Sequence, residues 1–116
     1  KRGKQMNESI EIIEEKYPQT AMEFKKIQAK QYELFCKKQL DYGPSNISCG
    51  TNLETDEEKN FSLSGLWFRI NDKIQRLKNL LMNNQEAQNE PTEDSFMDLG
   101  VYSIMAMIVK NNKWAK

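Results

Sequence analysis

Ser62-Leu63-Ser64-Gly65-Leu66-Trp67-Phe68-Arg69-Ile70-Asn71-Asp72-Lys73-Ile74-Gln75-Arg76-Leu77-Lys78-Asn79-Leu80-Leu81-Met82 is the stretch that decides the fold. Leu63, Leu66, Trp67, Ile70, Ile74, Leu77 and Leu81 recur in it at three- and four-residue steps, which gathers side chains on one face of an α-helix. The spacing predicts a helix from Ser62 or Ser64 to about Met82, ended by Asn83-Asn84. On its flank Arg69, Asp72 and Arg76 follow one another at three and four residues, so one carboxylate is set between two guanidinium groups.

Outward from this segment the same period persists. Asn89-Glu90-Pro91-Thr92 opens a last helix, roughly Thr92 to Asn111, with Glu93 and Asp94 in the first turn where the helix dipole favours acids. That helix is apolar almost all round: Phe96, Met97, Leu99, Val101, Tyr102, Ile104, Met105, Met107, Ile108 and Val109. It is expected either to be the buried centre of a bundle or to have its apolar excess covered by another subunit. The basic tail Lys110 to Lys116, with Trp114, is expected to fray or to pack on a neighbour.

Upstream, Thr20-Ala21-Met22-Glu23 is a capping-box pattern, so a long helix of about 30 Å should start there and run through Phe24, Ile27, Gln31, Leu34, Lys38 and Asp41. Tyr42-Gly43-Pro44 stops it, Gly43 by a left-handed cap and Pro44 by preventing continuation. A short first helix from Asn7 to Lys16 presents Ile10, Ile12 and Ile13, and Pro18 separates it from the next. Ser45 to Asn60, with the acidic run Glu54, Asp56, Glu57 and Glu58, reads as a long connection, a functional lid or a disordered loop. No stretch alternates like a half-buried strand. The fold class is therefore all-α: a compact bundle of three main helices plus a short N-terminal one. Residues 1–19 form a basic segment and short helix, and residues 20–116 a single domain.

The chain has 116 residues, 17 Lys+Arg against 17 Asp+Glu, no His, and two Cys. Without His there is no triad, no Cys-His pair and no His-liganded zinc. Zero net charge gives no global pull toward nucleic acid, so no direct nucleic-acid binding is expected. Cys36 and Cys49 read as ordinary thiols of a reducing compartment, with one disulfide as the alternative. The longest nearly apolar run, Phe96 to Val109, is too short for a bilayer and holds Asp98, so no membrane contact is expected. Lys1, Arg2 and Lys4 are followed by Glu8, Glu11, Glu14 and Glu15, which is not a signal peptide pattern. A cytoplasmic location follows.

Asp98 is the residue most in need of explanation. It stands four after Asp94, hence on the same face, inside a segment otherwise built for burial. An ionised carboxylate there needs a cation, supplied by Arg69, Lys73 or Arg76 or by a metal. The two readings are a buried ion pair, and a Mg²⁺ site of oxygen ligands from Asp72, Asp94 and Asp98, with Glu33 or Asp41 as further acids. Lys37, Lys38, Arg69, Lys73 and Arg76 are candidate phosphate contacts, the arginines offering bidentate geometry. There is no GxxxxGK[ST] or GxGxxG turn, so any phosphate must be held by side chains or a metal.

Three segments carry a family resemblance: Lys38-Gln39-Leu40-Asp41-Tyr42-Gly43, Gly65 to Leu77, and Glu93-Asp94-Ser95-Phe96-Met97-Asp98-Leu99-Gly100-Val101-Tyr102. In order and spacing they resemble the nucleotide modification associated domain 1 family of phages and bacteria, over about Phe24 to Val109. The resemblance implies a role in nucleotide metabolism and, for a phage-encoded chain, the host cytoplasm. More distantly the pattern is similar to the all-α nucleoside triphosphate pyrophosphatases of the MazG and dUTPase group, which hold Mg²⁺ with an ExxE and an ExxD pair. By that likeness Asp72 stands for one acid of the first pair and Asp98 for the Asp of the second. Arg69 lies three before Asp72 and Ser95 three before Asp98, so neither acidic pair is intact.

The resemblance implies a Mg²⁺-dependent (deoxy)nucleoside triphosphate pyrophosphohydrolase-like enzyme. Asp72, Asp94 and Asp98 would hold the metal and Arg69, Lys73 and Arg76 would offset developing charge, Asp98 and Asp72 being catalytic with them. Lys38, Asp41, Tyr42 and Trp67 would bind the nucleotide, Tyr42 or Trp67 by stacking on the base. The alternatives are a non-catalytic nucleotide-binding or sequestering module and a structural helical oligomerisation domain. A nucleotide ligand and a homo-oligomer are the expected partners.

Overall fold

A computed structural model describes residues 2–116, with side chains from residue 7 onward. The basic opening at Lys1, Arg2 and Lys4 lies outside the described side chains. Among the described residues the chain is helical with no strand, as the periodicity predicts: α1 (Arg2–Lys16), α2 (Pro18–Tyr42), α3 (Ser45–Ser48), α4 (Asp56–Leu77), a π-helical turn (Lys78–Met82) and α5 (Thr92–Lys110). Two compact units divide inside α2, one ending at Leu34 and the other spanning Phe35–Lys116.

The first unit is a pair of helices. α2 starts at Pro18, two residues before the expected capping box at Thr20, because proline fits the first helical turn, where its missing N–H removes nothing. Only Tyr17 intervenes between α1 and α2, and it donates to Ile13 O (2.7 Å) while Ala21 donates back to Tyr17 O (3.1 Å).

In the second unit the end of α2 follows expectation. Gly43 takes φ +71° and its N–H closes on Gln39 O at 2.9 Å, a left-handed cap. The segment 45–60 is neither lid nor disordered loop. Ser45–Ser48 forms α3, and Ile47 and Leu53 are buried in the core. The next helix starts at Asp56, well before Ser62 or Ser64. Thr55 caps it: its Oγ1 accepts from Glu58 N (3.1 Å) and Glu58 Oε1 accepts from Thr55 N (3.2 Å) and Glu54 N (2.9 Å). The acidic run Asp56, Glu57 and Glu58 is thus the first turn of α4, where the dipole favours it. Those amide bonds from Thr55 and then Glu54 hold the Glu58 carboxyl below its ordinary value.

The core is built where α4 meets α5: Leu66 from α4, Val101, Met105 and Val109 from α5, Ile47 and Leu53 from the connection, and Trp114 from the tail. Trp114 corrects the expectation of fraying. Asn112 N bonds Val109 O (3.1 Å) and Lys113 N bonds Ile108 O (3.1 Å) with Asn112 at φ +59°, a Schellman closure that turns the chain back on itself. The indole then enters the core at 6% exposure, donates to Pro44 O at 3.1 Å and meets Phe35 edge-on at 6.0 Å.

Two expected faces are narrower than the sequence implies. Of the α4 stripe only Leu66 and Leu77 are fully buried, and Trp67 is 56% exposed. α5 is not buried all round: Ser95, Val101, Met105 and Val109 point inward, while Phe96, Ile104 and Met107 face out. The physical reason is supply, since α4, the turn at α3 and the tail cover one side of α5. No described helix is long and apolar enough to cross a membrane. Cys36 and Cys49 are free thiols.

Candidate functional site

On α4, Arg69, Lys73 and Arg76 are spaced by four and three residues and form one basic row. On the neighbouring α5, Ser95 and Asp98 stand one turn apart. The two helices are bridged by polar rungs at these positions. Lys73 Nζ reaches Asp98 Oδ2 at 3.1 Å, and Arg76 Nη1 donates to Ser95 Oγ at 2.6 Å. Arg76 Nη2 also donates to the carbonyl of Glu90, and Arg69 Nη2 donates to the Asn46 carbonyl at 3.3 Å. The third helix enters through Lys38 of α2, whose Nζ lies 3.4 Å from Asp98 Oδ1.

Asp98 therefore holds two ammonium groups, one on each carboxylate oxygen, with its side chain only 12% exposed. Desolvation of such a carboxylate costs several kcal/mol unless it is paired, and this pairing offsets it. The Lys73 ammonium feels the same balance from the other side. Burial pulls its pKa down, but the hydrogen bond and charge of Asp98, with smaller contributions from Tyr102 and Glu90, outweigh burial and leave it raised. Lys73 is charged at neutral pH. Lys38 is the more open of the two lysines, its side chain 45% exposed against 26% for Lys73.

The ion-pair expectation for Asp98 is met by Lys73, one of the three bases predicted. Lys38 as its second partner was not anticipated, because the two residues stand 60 apart in sequence and no local spacing relates them. Ser95 was noticed only as the residue standing where the second acidic pair would need Glu. It is 1% exposed and takes the Arg76 guanidinium. Arg69 and Arg76 do not flank Asp72 as the three- and four-residue steps implied. Both reach away from it, Arg69 to the Asn46 carbonyl and Arg76 to Ser95 and the Glu90 carbonyl, while Asp72 is exposed.

The metal set Asp72, Asp94 and Asp98 is not assembled. Among the described residues no three acidic or Cys side chains come close enough to hold a metal ion. Asp72 and Asp94 are exposed, and both oxygens of Asp98 face ammonium groups. Asp41 is exposed too, and Glu33 belongs to the first unit. A Mg²⁺ ion needs near-octahedral oxygen ligands. This donor set does not fit it. Tyr42 and Trp67, the candidate stacking residues, are exposed at 67% and 56% and available to a ligand. Tyr42 lies four residues after Lys38, on the same face of α2.

What the structure brings together are residues of all three sequence signatures: Lys38 from the first, Lys73 and Arg76 from the second, Ser95 and Asp98 from the third. No curated protein and no solved structure matches the chain. A family model does, over residues 38–109, a span that opens on Lys38 and encloses every member of the cluster. By that match, which covers more than half of its length, the chain belongs to the nucleotide modification associated domain 1 family.

Proposed function

We propose that this protein binds a nucleotide through its phosphate groups at the Lys38–Asp98–Lys73 junction, without the carboxylate-held Mg²⁺ of a pyrophosphohydrolase. The observation that carries the reading is the convergence of two lysines, Lys38 and Lys73, on the single carboxylate of Asp98, with the Arg76 guanidinium one turn along α4 from Lys73, held by Ser95 and the Glu90 carbonyl, and Glu90 the other acid felt by Lys73. That leaves positive charge in excess among groups already held in place by packed helices, the arrangement that recognises phosphate. The family description, nucleotide modification associated, names the same ligand class. Lys38, the more open lysine, is the group that can turn from Asp98 to an entering phosphate while Lys73 keeps the carboxylate paired. Tyr42, one turn along α2, then offers a face for the base.

Hydrolysis by paired acids would require ligands that Asp72, Asp94 and Asp98 do not bring together, so binding without turnover is the function this geometry supports. The protein is predicted to gain thermal stability with at least one of a panel of ribo- and deoxyribonucleotides, in EDTA as well as in Mg²⁺. A ligand at 100 times its Kd adds about 2.7 kcal/mol, a rise on the order of 10 °C for a domain this size. Lys38→Met with Lys73→Met should remove the rise. No shift with any nucleotide refutes the proposal. Release of pyrophosphate with Mg²⁺, abolished by Asp98→Asn, would replace it with the enzymatic reading.

A further inference from the structure

The α4–α5 layer is covered on one side only. Lys73 meets Asp98, Arg76 meets Ser95, and Lys59 Nζ reaches Asn112 Oδ1 at 3.0 Å, so the two helices run antiparallel. In an antiparallel pair the residue after each contact position lies about 100° round its own helix, and on both helices that turn leads to the same side of the layer. On α4 these residues are Trp67, after the buried Leu66, and Ile74, after Lys73; on α5 they are Phe96, after Ser95, and Leu99, after Asp98. Arg69, which holds the Asn46 carbonyl, and Val101, packed with Ile47 and Trp114, fall on the other side. Trp67, Ile74 and Phe96 are 56%, 40% and 55% exposed.

Along α4 this open side ends in opposite charges. Asp56, Trp67 and Lys78 stand eleven residues apart, three helical turns, and so share one line of the helix with the indole midway. Between the two ends the line and its flanks, Asn60, Leu63, Ser64, Ile70, Asn71 and Ile74, carry no charge. An uncharged, largely apolar centre with an acid at one end and a base at the other is complementary to itself when turned end for end. A two-fold axis at Trp67 sets Asp56 of one copy against Lys78 of the other, and does so twice, about 16 Å to each side of the axis. Both groups are open to such a partner: Lys78 is exposed, and the Asp56 side chain is 98% exposed with Lys59 3.6 Å away. The area is adequate as well. Trp67, Ile74 and Phe96 leave roughly 300 Å² of side chain in water, and the positions around them extend the face to about 600 Å² per copy, the lower end of what a stable specific interface buries.

We propose that this open side of the α4–α5 layer is a dimerisation surface for a second copy of the chain. The two copies pack as a two-fold four-helix bundle, α4 antiparallel to the other α4, with Trp67 against Trp67 and Asp56 against Lys78 at each end. Trp67 then belongs to the interface, and base stacking falls to Tyr42. The phosphate reading of Lys38 and Lys73 does not depend on it.

Sedimentation of the full chain over a hundredfold concentration range tests it. The expected species has twice the 13.6 kDa chain mass. Trp67→Glu, which brings two carboxylates together on the axis, should yield monomer. Asp56→Lys alone and Lys78→Glu alone should each weaken association about tenfold, and the two in one chain should restore it. Asp56 and Lys78 are exposed, so the charge exchange decides the matter even if the Trp67 variant misfolds. A wild-type monomer throughout the range overturns the proposal, including one whose α4 is protected from hydrogen exchange by its own chain. So does a dimer indifferent to Trp67→Glu, or a charge exchange that restores nothing, the result expected if α4 packed on the other copy's α5 instead.

Discussion

Replacing Lys73 by Met and Asp98 by Asn, singly and together, asks how strongly the α4–α5 junction is held by charge. At 3.1 Å and an effective dielectric near 20, the bare attraction of such a pair is about 5 kcal/mol, most of it cancelled by desolvation. With side chains 26% and 12% exposed, the pair lies between a surface bridge and a buried one, which sets a net coupling of about 1.5 kcal/mol. Lys73→Met should cost about 1.5–2 kcal/mol, Asp98→Asn about 2, and the double variant about 2 rather than their sum. In a chain of this length each kcal/mol lowers Tm by about 4 °C. Lys38→Met, which removes a more open partner at 3.4 Å, should cost only about 0.5 kcal/mol. Urea unfolding followed by circular dichroism at neutral pH reads all of these. The Lys73 pKa is raised in the folded protein, so its contribution is fully present below about pH 10.4 and is lost as pH rises through the folded value. The coupling at pH 9 should therefore equal that at pH 7. Additive single variants, or a Lys38 variant costlier than the Lys73 one, would refute the assignment of Lys73 as the principal counter-ion.

Other variants probe separate features. Thr55→Ala should lower stability by about 1 kcal/mol in thermal melts, through loss of the α4 cap. Because the Glu58 pKa is lowered by the Thr55 and Glu54 amides, its share of that cap is present above about pH 4.3 and lost as pH falls through the folded value; the acid limb of a stability profile should flatten in Glu58→Gln. Ser95→Ala should cost about 1–2 kcal/mol in urea, since a half-buried guanidinium loses its 2.6 Å partner and keeps only the Glu90 carbonyl. Gly43→Ala should cost about 1–2 kcal/mol from the +71° φ alone, for an added Cβ meets nothing within 4 Å.

Where the sequence was informative, it was so through repetition. The three- and four-residue steps of 62–82 and 92–111 mark α4 and α5 because each turn restates the same face, and Gly43-Pro44 ends α2 by two independent constraints. Single short patterns did less well. Thr20-x-x-Glu23 and Thr55-x-x-Glu58 read alike, yet only the second caps a helix, because Pro18 already starts α2 and the acids after Thr55 look like loop until their helix is known. At the site, the basic row and the need of Asp98 for a cation were visible in one segment each. The Lys38 contact was not, since three helices must be packed before it exists. The acid triad failed for the complementary reason: spacing fixes which residues share a face of their own helix, not which faces meet.

Phe35 and Trp114 lie just outside the two ends of the family segment, three residues before it and five after. Their edge-on contact and the indole bond to Pro44 mean that the shared segment does not carry its own clasp in this chain. A fragment trimmed to residues 38–109 would keep every charged member of the candidate site and lose the ring pair that shuts the core beside it. The matched boundaries thus mark what the family shares rather than where the molecule can be cut, and fragments meant for ligand or folding work should run from before Phe35 through Trp114.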